Sequence, residues 1–165
     1  MKKIIAAIVA IIFVDQLTKG YLLNLVARGW FWFGNAFELV PHPFRMWRIN
    51  SWFNIVFTWN PGTAFSFFRG TSSLVLIFVT GAIIGYLSYL LFAKTKDKTE
   101  QWALALIVGG ALGNLIDRIR FGAVIDFIDW HYRGFHWPSF NVADIAICLG
   151  VGLYILHFWQ QRKGK

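Results

Sequence analysis

The chain has one cysteine, Cys148, so no disulfide can form within it and it holds no CxxC-type metal site. Charge is almost as scarce. Asp, Glu, Lys and Arg make up 15% of the 165 residues, where soluble domains carry about 25%. The 8 acidic side chains face 16 Lys and Arg, for a formal charge of +8. Such an excess suits nucleic acid only when it forms a continuous basic patch. Here the cations fall in short clusters between apolar runs, so nucleic acid is not an expected partner. What the chain has in abundance is apolar surface: 57% hydrophobic residues, with 9 Trp, 5 Tyr and 17 Phe. So few charges cannot cover that area in water, and a membrane or a very large partner surface must cover it. A soluble enzyme, a disordered chain and a disulfide scaffold are excluded.

Crossing the hydrocarbon core takes about 20 mostly apolar residues. Four stretches meet that length, and the pattern predicts spans at about 4–24, 73–93, 101–119 and 141–160 within a single domain of 1–165. Stretch 74–93 contains no charge at all, and 101–119 turns polar only at its end. A fifth charge-free run, Ile49 to Phe68, carries Asn50, Asn54, Asn60, Pro61 and Gly62. Lipid would leave such a backbone unsatisfied, so this run is expected to be extended or irregular. Lys2, Lys3 and the apolar run after them resemble a signal peptide. No small-x-small cleavage site follows, so an uncleaved first span is expected.

The basic residues predict the orientation. Lys2, Lys3, Lys94, Lys96, Lys98, Arg162, Lys163 and Lys165 fall in three short segments. Four spans put those segments on one side, and the positive-inside rule makes that side cytoplasmic. The stretches 28–70 and 120–140 then lie outside, and their many tryptophans suit the membrane interface. Asp117, Asp126 and Asp144 would gather at that outer face, where ionisable groups at membrane depth are functional candidates. Asn114 and Asp117 are three apart, as are Asn141 and Asp144, so each pair shares a helix face. Two converging carboxylates cannot both ionise easily. One can then act as base on a water while the other donates a proton to a carbonyl. The alternative for each Asp is a helix cap or an ion pair with Arg118.

Residues 109–129, GGALGNLIDRIRFGAVIDFID, closely resemble a signature of the lipoprotein signal peptidases (signal peptidase II). Residues 140–147, FNVADIAI, resemble that family's second signature. Asp15, Thr18 and Lys19 resemble its polar set in the first span, and residues 60–65, NPGTAF, its N-x-G-x-A-F loop. Thr63 departs from that loop, where many relatives have a small apolar residue. The four matches run in family order from residue 15 to 147. The resemblance implies a four-span, all-α protein of the bacterial inner membrane, with an outer β-like cradle and a short amphipathic segment. It implies an aspartic peptidase that removes the signal peptide of prolipoproteins just before a diacylglyceryl-modified cysteine. The catalytic pair it implies is Asp126 and Asp144. Asn60, Gly62, Asn114, Arg118 and Asn141 match positions that shape the site or bind substrate, and Asp117 matches a supporting carboxylate.

Other features have structural readings. Asp15 and Lys19, four apart, are expected to neutralise each other and tether the first span. Gly109 with Gly113, and Gly81 with Gly85, are expected at close helix contacts. Asp129, His131 and His136 are the nearest thing to a metal site, but no HExxH or His/Cys framework supports one. Interfacial histidines are the preferred reading, and neither metal nor organic cofactor is expected. The expected partners are diacylglyceryl-prolipoproteins and membrane lipid, met by a monomer. A small proton-coupled transporter would also place carboxylates at helix ends. Against it, no internal repeat or pair of broken helices is present.

Overall fold

The computed structural model of the chain describes residues 1–27, 34–40, 44–62 and 73–163. Arg28, Trp30, Phe31, Trp32, His42, Thr63, Arg69 and Lys165 lie outside them. Four helices are long and apolar enough to cross a membrane: α1 (Lys2–Ala27), α3 (Ser73–Tyr89, prolonged by a π-helical turn Leu90–Lys94), α4 (Lys98–Phe121) and α5 (Val142–Lys163). At 1.5 Å per residue, the 26 residues of α1 reach about 39 Å, enough for a core of about 30 Å. Among the described residues, Pro61 and Pro138 fall outside these helices, where a missing N–H and a fixed φ do no damage.

The ends of α4 follow from local chemistry. Asp97 caps its start, its Oδ1 accepting the Glu100 N–H at 2.9 Å. At the other end Gly122 takes φ +74°, and its N–H returns to the Arg118 carbonyl at 3.0 Å, the left-handed stop that glycine permits.

The all-α description covers the spans and stops at the stretches between them. A short helix α2 (Ala36–Leu39) precedes four strands: β1 (Arg45–Arg48), β2 (Phe53–Asn60), β3 (Val124–Tyr132) and β4 (Phe135–His136). They form one antiparallel sheet in the order β1-β2-β3-β4. The run read from sequence as extended or irregular thus contains a regular strand, β2. Its ladder with β3 shifts register between Ile55 and Thr58.

The chain divides into two compact units. The first comprises Met1–Asp15, Phe78–Leu115 and Val142–Lys165, and its core is Ile4, Ile8, Ile84, Leu91, Leu104 and Val108 with Ala105 and Ala111. Here α4 is the interior helix, and glycines let neighbours approach it. A Cβ on Gly110 would meet the Ala143 carbonyl oxygen at 2.3 Å, and one on Gly150 the Ala103 oxygen at 2.7 Å. Gly109 faces Ile11 and Gly113 faces Asp15 at similarly short range, so that GxxxG works as expected. Gly81 and Gly85 are a correction: nothing among the described residues lies within 4 Å of a Cβ at either.

The second unit comprises Gln16–Ile77 and Ile116–Asn141. Val56, Phe57, Val124 and Ile125 form the buried heart of its sheet. Trp59, expected among the surface aromatics, is also buried, edge-on to Phe57 (5.2 Å between ring centroids) and tilted against Phe121 (5.6 Å). Trp47, Trp52, Trp130 and Trp137 are exposed.

Candidate active site

Asp126 sits on β3 with both faces of the strand covered around it, and its side chain is buried. Each of its oxygens accepts a carboxamide N–H. Asn141 Nδ2 donates to Oδ1 at 2.7 Å, and Asn60 Nδ2 donates to Oδ2 at 2.9 Å. Asn60 ends β2 beside the Asp126 strand, and Asn141 immediately precedes α5. The Asn60 amide is itself oriented, since its Oδ1 accepts the Gly62 N–H at 3.0 Å. Gly62 has φ +104°, and a Cβ there would meet Leu76 Cδ1 at 2.1 Å. Only glycine fits that turn.

Asp144 lies in the first turn of α5, and its Oδ1 accepts the Asn114 Nδ2 at 2.8 Å. The helix faces expected from spacing therefore act crosswise. Asn114, of the first signature, serves the carboxylate of the second. Asn141, of the second, serves the carboxylate of the first. A carboxamide N–H is a neutral donor, so it orients a carboxylate without adding a full positive charge beside it.

Asp117 is a structural centre. It is fully buried, lies 3.0 Å from Lys19 Nζ, and accepts hydrogen bonds from Gln16 Nε2 (2.9 Å) and the Ile125 N–H (3.2 Å). Gln16 is held in turn by Arg120, whose Nη1 donates to its Oε1 at 2.8 Å. The sequence named Asp15 as the counter-charge of Lys19, and the structure sets Asp117 3.0 Å from the Lys19 ammonium. Asp15, equally buried, accepts the Ala143 N–H at 3.0 Å in the first turn of α5. Arg118 lines an open cavity of about 460 Å³ together with Asn35, Ser73 and Leu74. Gln16 was missed from sequence, although it lies three residues before Lys19 and so shares its helix face.

A second polar cluster occupies the far end of β3. Asn54 faces Asp129 across the β2–β3 ladder and donates to its Oδ2 at 2.7 Å. His136 Nδ1 lies 2.8 Å from Asp129 Oδ1, and His131 Nδ1 lies 3.6 Å from Oδ2. Burial pushes the Asp129 carboxyl up. The hydrogen bonds from His136 and Asn54, with the charge of the two imidazoles, outweigh burial and hold it below the usual carboxylate range. Sequence spacing had set these histidines apart as interfacial, and Asn54 carried no signal until its register partner was known.

A family model described as signal peptidase (SPase) II matches residues 7–160. A lipoprotein signal peptidase of Polynucleobacter necessarius subsp. necessarius (strain STIR1) is 38% identical over 166 residues, covering 98% of this chain and 91% of the relative. That of Ralstonia nicotianae (strain ATCC BAA-1114 / GMI1000) is 42% identical over 148 residues, covering 88% and 77%. Among solved structures, a bacterial membrane enzyme determined by the in meso method at 2.3 Å resolution aligns with 100% of this chain and 92% of its own. The TM-score is 0.78 and the identity 27%.

Proposed function

Because the chain belongs to the signal peptidase II family, we propose that it removes the signal peptide of diacylglyceryl-modified prolipoproteins, cutting just before the lipidated cysteine. The transporter reading falls with that membership. The reaction is that of an aspartic peptidase, with Asp126 and Asp144 as the pair. The observation that carries this is the treatment of Asp126: a buried carboxylate whose two oxygens are each oriented by a carboxamide. Asn114 treats Asp144 in the same way.

In the proposed reaction the pair shares one proton. The ionised carboxylate takes a proton from a water as its oxygen attacks the scissile carbonyl, while the protonated partner donates to the carbonyl oxygen. The tetrahedral intermediate collapses as the carboxyl that took the water's proton gives it to the leaving nitrogen. A hydroxyl of the intermediate returns its proton to the partner carboxylate, and the C–N bond breaks, which leaves the pair again with one proton. Asn60, Asn114 and Asn141 hold the carboxyl groups, Gly62 keeps the Asn60 turn, and Arg118 faces the substrate backbone. Asp117, Lys19 and Asp15 are structural. No metal or organic cofactor enters the chemistry.

The setting proposed is the bacterial inner membrane, with both termini and residues 94–100 in the cytoplasm and the carboxylates at the outer face. The sheet acts there as a cradle for the substrate. An apolar groove of about 340 Å³, walled by Tyr21, Leu22, Leu25, Trp47, Ile55 and Phe127, suits an acyl chain of the modified cysteine. Acyl chains leave one apolar medium for another, so they position the cysteine more than they tighten binding. The protein works as a monomer.

The test compares one precursor with and without its diacylglyceryl group, at matched concentration in the same bilayer with purified protein. Loss of the signal peptide from the lipidated form, and markedly slower loss from the other, is the expected result. Equal cleavage would mean that the lipid is not read. For topology, single cysteines at positions 97 and 133 in a Cys148→Ala background are exposed to an impermeant thiol reagent in intact spheroplasts. Labelling is expected at 133 alone, and labelling at 97 alone would reverse the orientation.

A further inference from the structure

The β3–β4 hairpin carries a cluster that the proteolytic reaction leaves unused. Its turn is two residues long, with Arg133 at φ +49° and Gly134 at φ +83°, the left-handed pair that closes a tight hairpin. That turn sets His131 directly opposite His136. The two imidazoles stack with centroids 5.0 Å apart and planes 16° from parallel. One ligand-type atom from each of Asp129, His131 and His136 lies within 4.8 Å of the other two. All three residues, with Asn54, belong to the same compact unit.

We propose that Asp129, His131 and His136 form a binding site for a zinc-class divalent ion that clamps the hairpin to β2. Ligand atoms about 2.0–2.1 Å from a tetrahedral zinc lie roughly 3.3 Å from one another. The separations from the single oxygen Asp129 Oδ2 to His136 Nδ1 (3.1 Å) and to His131 Nδ1 (3.6 Å) bracket that value. Two imidazoles and one carboxylate select zinc and its neighbours over calcium or magnesium, which take oxygen ligands. The ion takes the place of the proton between His136 and Asp129. Each Nδ1 then offers its lone pair, and the ring proton resides on Nε2 or passes to solvent.

Asn54 makes the second, independent contribution. Buried, and donating to Asp129 at 2.7 Å, it orients the carboxylate as outer-shell partners of metal ligands do. Among the described residues its buried Oδ1 has no hydrogen-bond partner, while its Nδ2 also lies 3.2 Å from His131 Nδ1. A water on the fourth position of the metal supplies the donor that this oxygen lacks. The ion would thus complete a buried amide and fix the strand that carries Asp126 at its other end.

The test uses the full chain in detergent, without a histidine tag and in a Cys148→Ala background, titrated with zinc chloride by calorimetry. Cobalt(II) absorption serves as a reporter of four-coordinate nitrogen and oxygen ligation. One saturable event is expected, with a rise in thermal stability of the protein. His131→Ala and His136→Ala should each weaken binding by more than about 100-fold, and Asn54→Ala by roughly 10–100-fold. His136 is half-exposed on a short edge strand, so its variant will fold, and an unchanged melting temperature without metal verifies this. Absence of a saturable event, or binding that survives both histidine replacements, would overturn the proposal.

Discussion

In the first unit the buried residues include Ile4, Ile8, Ile84, Leu91, Leu104, Val108 and small side chains on α4 and α5; Asp15 and Asn114 are its buried polar residues among those described. In the second the buried set includes Lys19, Asn54, Asp117, Asp126, Asp129 and Asn141. The difference follows from what each part must solve. Helices in lipid satisfy their own backbones, and since lipid gives little hydrophobic drive they associate by close packing of small residues. The second unit brings strands, helix ends and charged side chains together away from water, where each polar group needs a stated partner. Stability is thus held by shape in one unit and by paired polar groups in the other, and each should fail in its own way.

The largest effect is expected at the polar end of this comparison. Asp126→Asn or Asp144→Asn removes one proton-transfer partner of the proposed pair while keeping side-chain size. General acid–base steps contribute roughly 10²–10⁴-fold, and residues that act as a unit fail together. Each single change should therefore nearly abolish cleavage of a diacylated precursor. Asp144→Asn should leave melting in detergent little changed, while Asp126→Asn, whose new amide turns a donor toward Asn60 or Asn141, should cost about 1–3 kcal/mol and still fold. A folded Asp126→Asn protein that retains substantial turnover would remove Asp126 from the chemistry.

Lys19 and Asp117 test whether the polar unit really depends on pairing. Both are buried and lie 3.0 Å apart. Lys19→Met leaves Asp117 buried with its main counter-charge gone, which costs about 3–5 kcal/mol. Adding Asp117→Asn removes the stranded charge while keeping an acceptor for the Ile125 N–H, so the double variant should regain roughly half of the loss. Denaturant unfolding in a fixed detergent measures both. A double variant less stable than Lys19→Met would mean that Asp117 is held chiefly by Gln16 and the backbone.

The helices were legible from sequence because each is a mostly apolar run near span length. The sheet was not. β3 is buried on both faces from Val124 to Phe127, so the alternation that marks a half-buried strand is missing there, and in β2 the alternation changes phase at the register shift between Ile55 and Thr58. At the site, the motifs named candidate residues but not who holds whom. Spacing along one helix put Asn141 with Asp144 and Asn114 with Asp117, whereas contacts across elements give Asn141 to Asp126 and Asn114 to Asp144. Trp59 was misjudged for a related reason: an aromatic in a tryptophan-rich stretch reads as interfacial unless its strand parity is known.

The helical unit offers a comparison of opposite signs. Gly→Ala inside a helix stabilises by up to about 1 kcal/mol where nothing obstructs the new methyl. Gly85 has open space around it, so Gly85→Ala should be neutral to stabilising. At Gly110 the same methyl would sit 2.3 Å from the Ala143 oxygen, and separating α4 from α5 should cost about 1–3 kcal/mol. Equal effects at the two positions, read from unfolding of the purified variants, would mean that close helix approach does not hold this unit together.

The smallest effect is at the start of α4, where the helical unit is capped by a polar side chain. Asp97 Oδ1 accepts the Glu100 N–H at 2.9 Å and also lies 3.2 Å from His157 Nε2. A lost N-cap costs about 1 kcal/mol, and a solvated ion pair contributes at most about as much. Two substitutions separate them. Asp97→Ser keeps a capping oxygen but loses the charge, and should cost only a few tenths of a kcal/mol. Asp97→Ala loses both and should cost about 1 kcal/mol. Cleavage should be unchanged in either variant. If serine proves as costly as alanine, the His157 contact rather than the cap holds this end of the helix, and the helical unit depends on charge pairing more than its apolar core suggests.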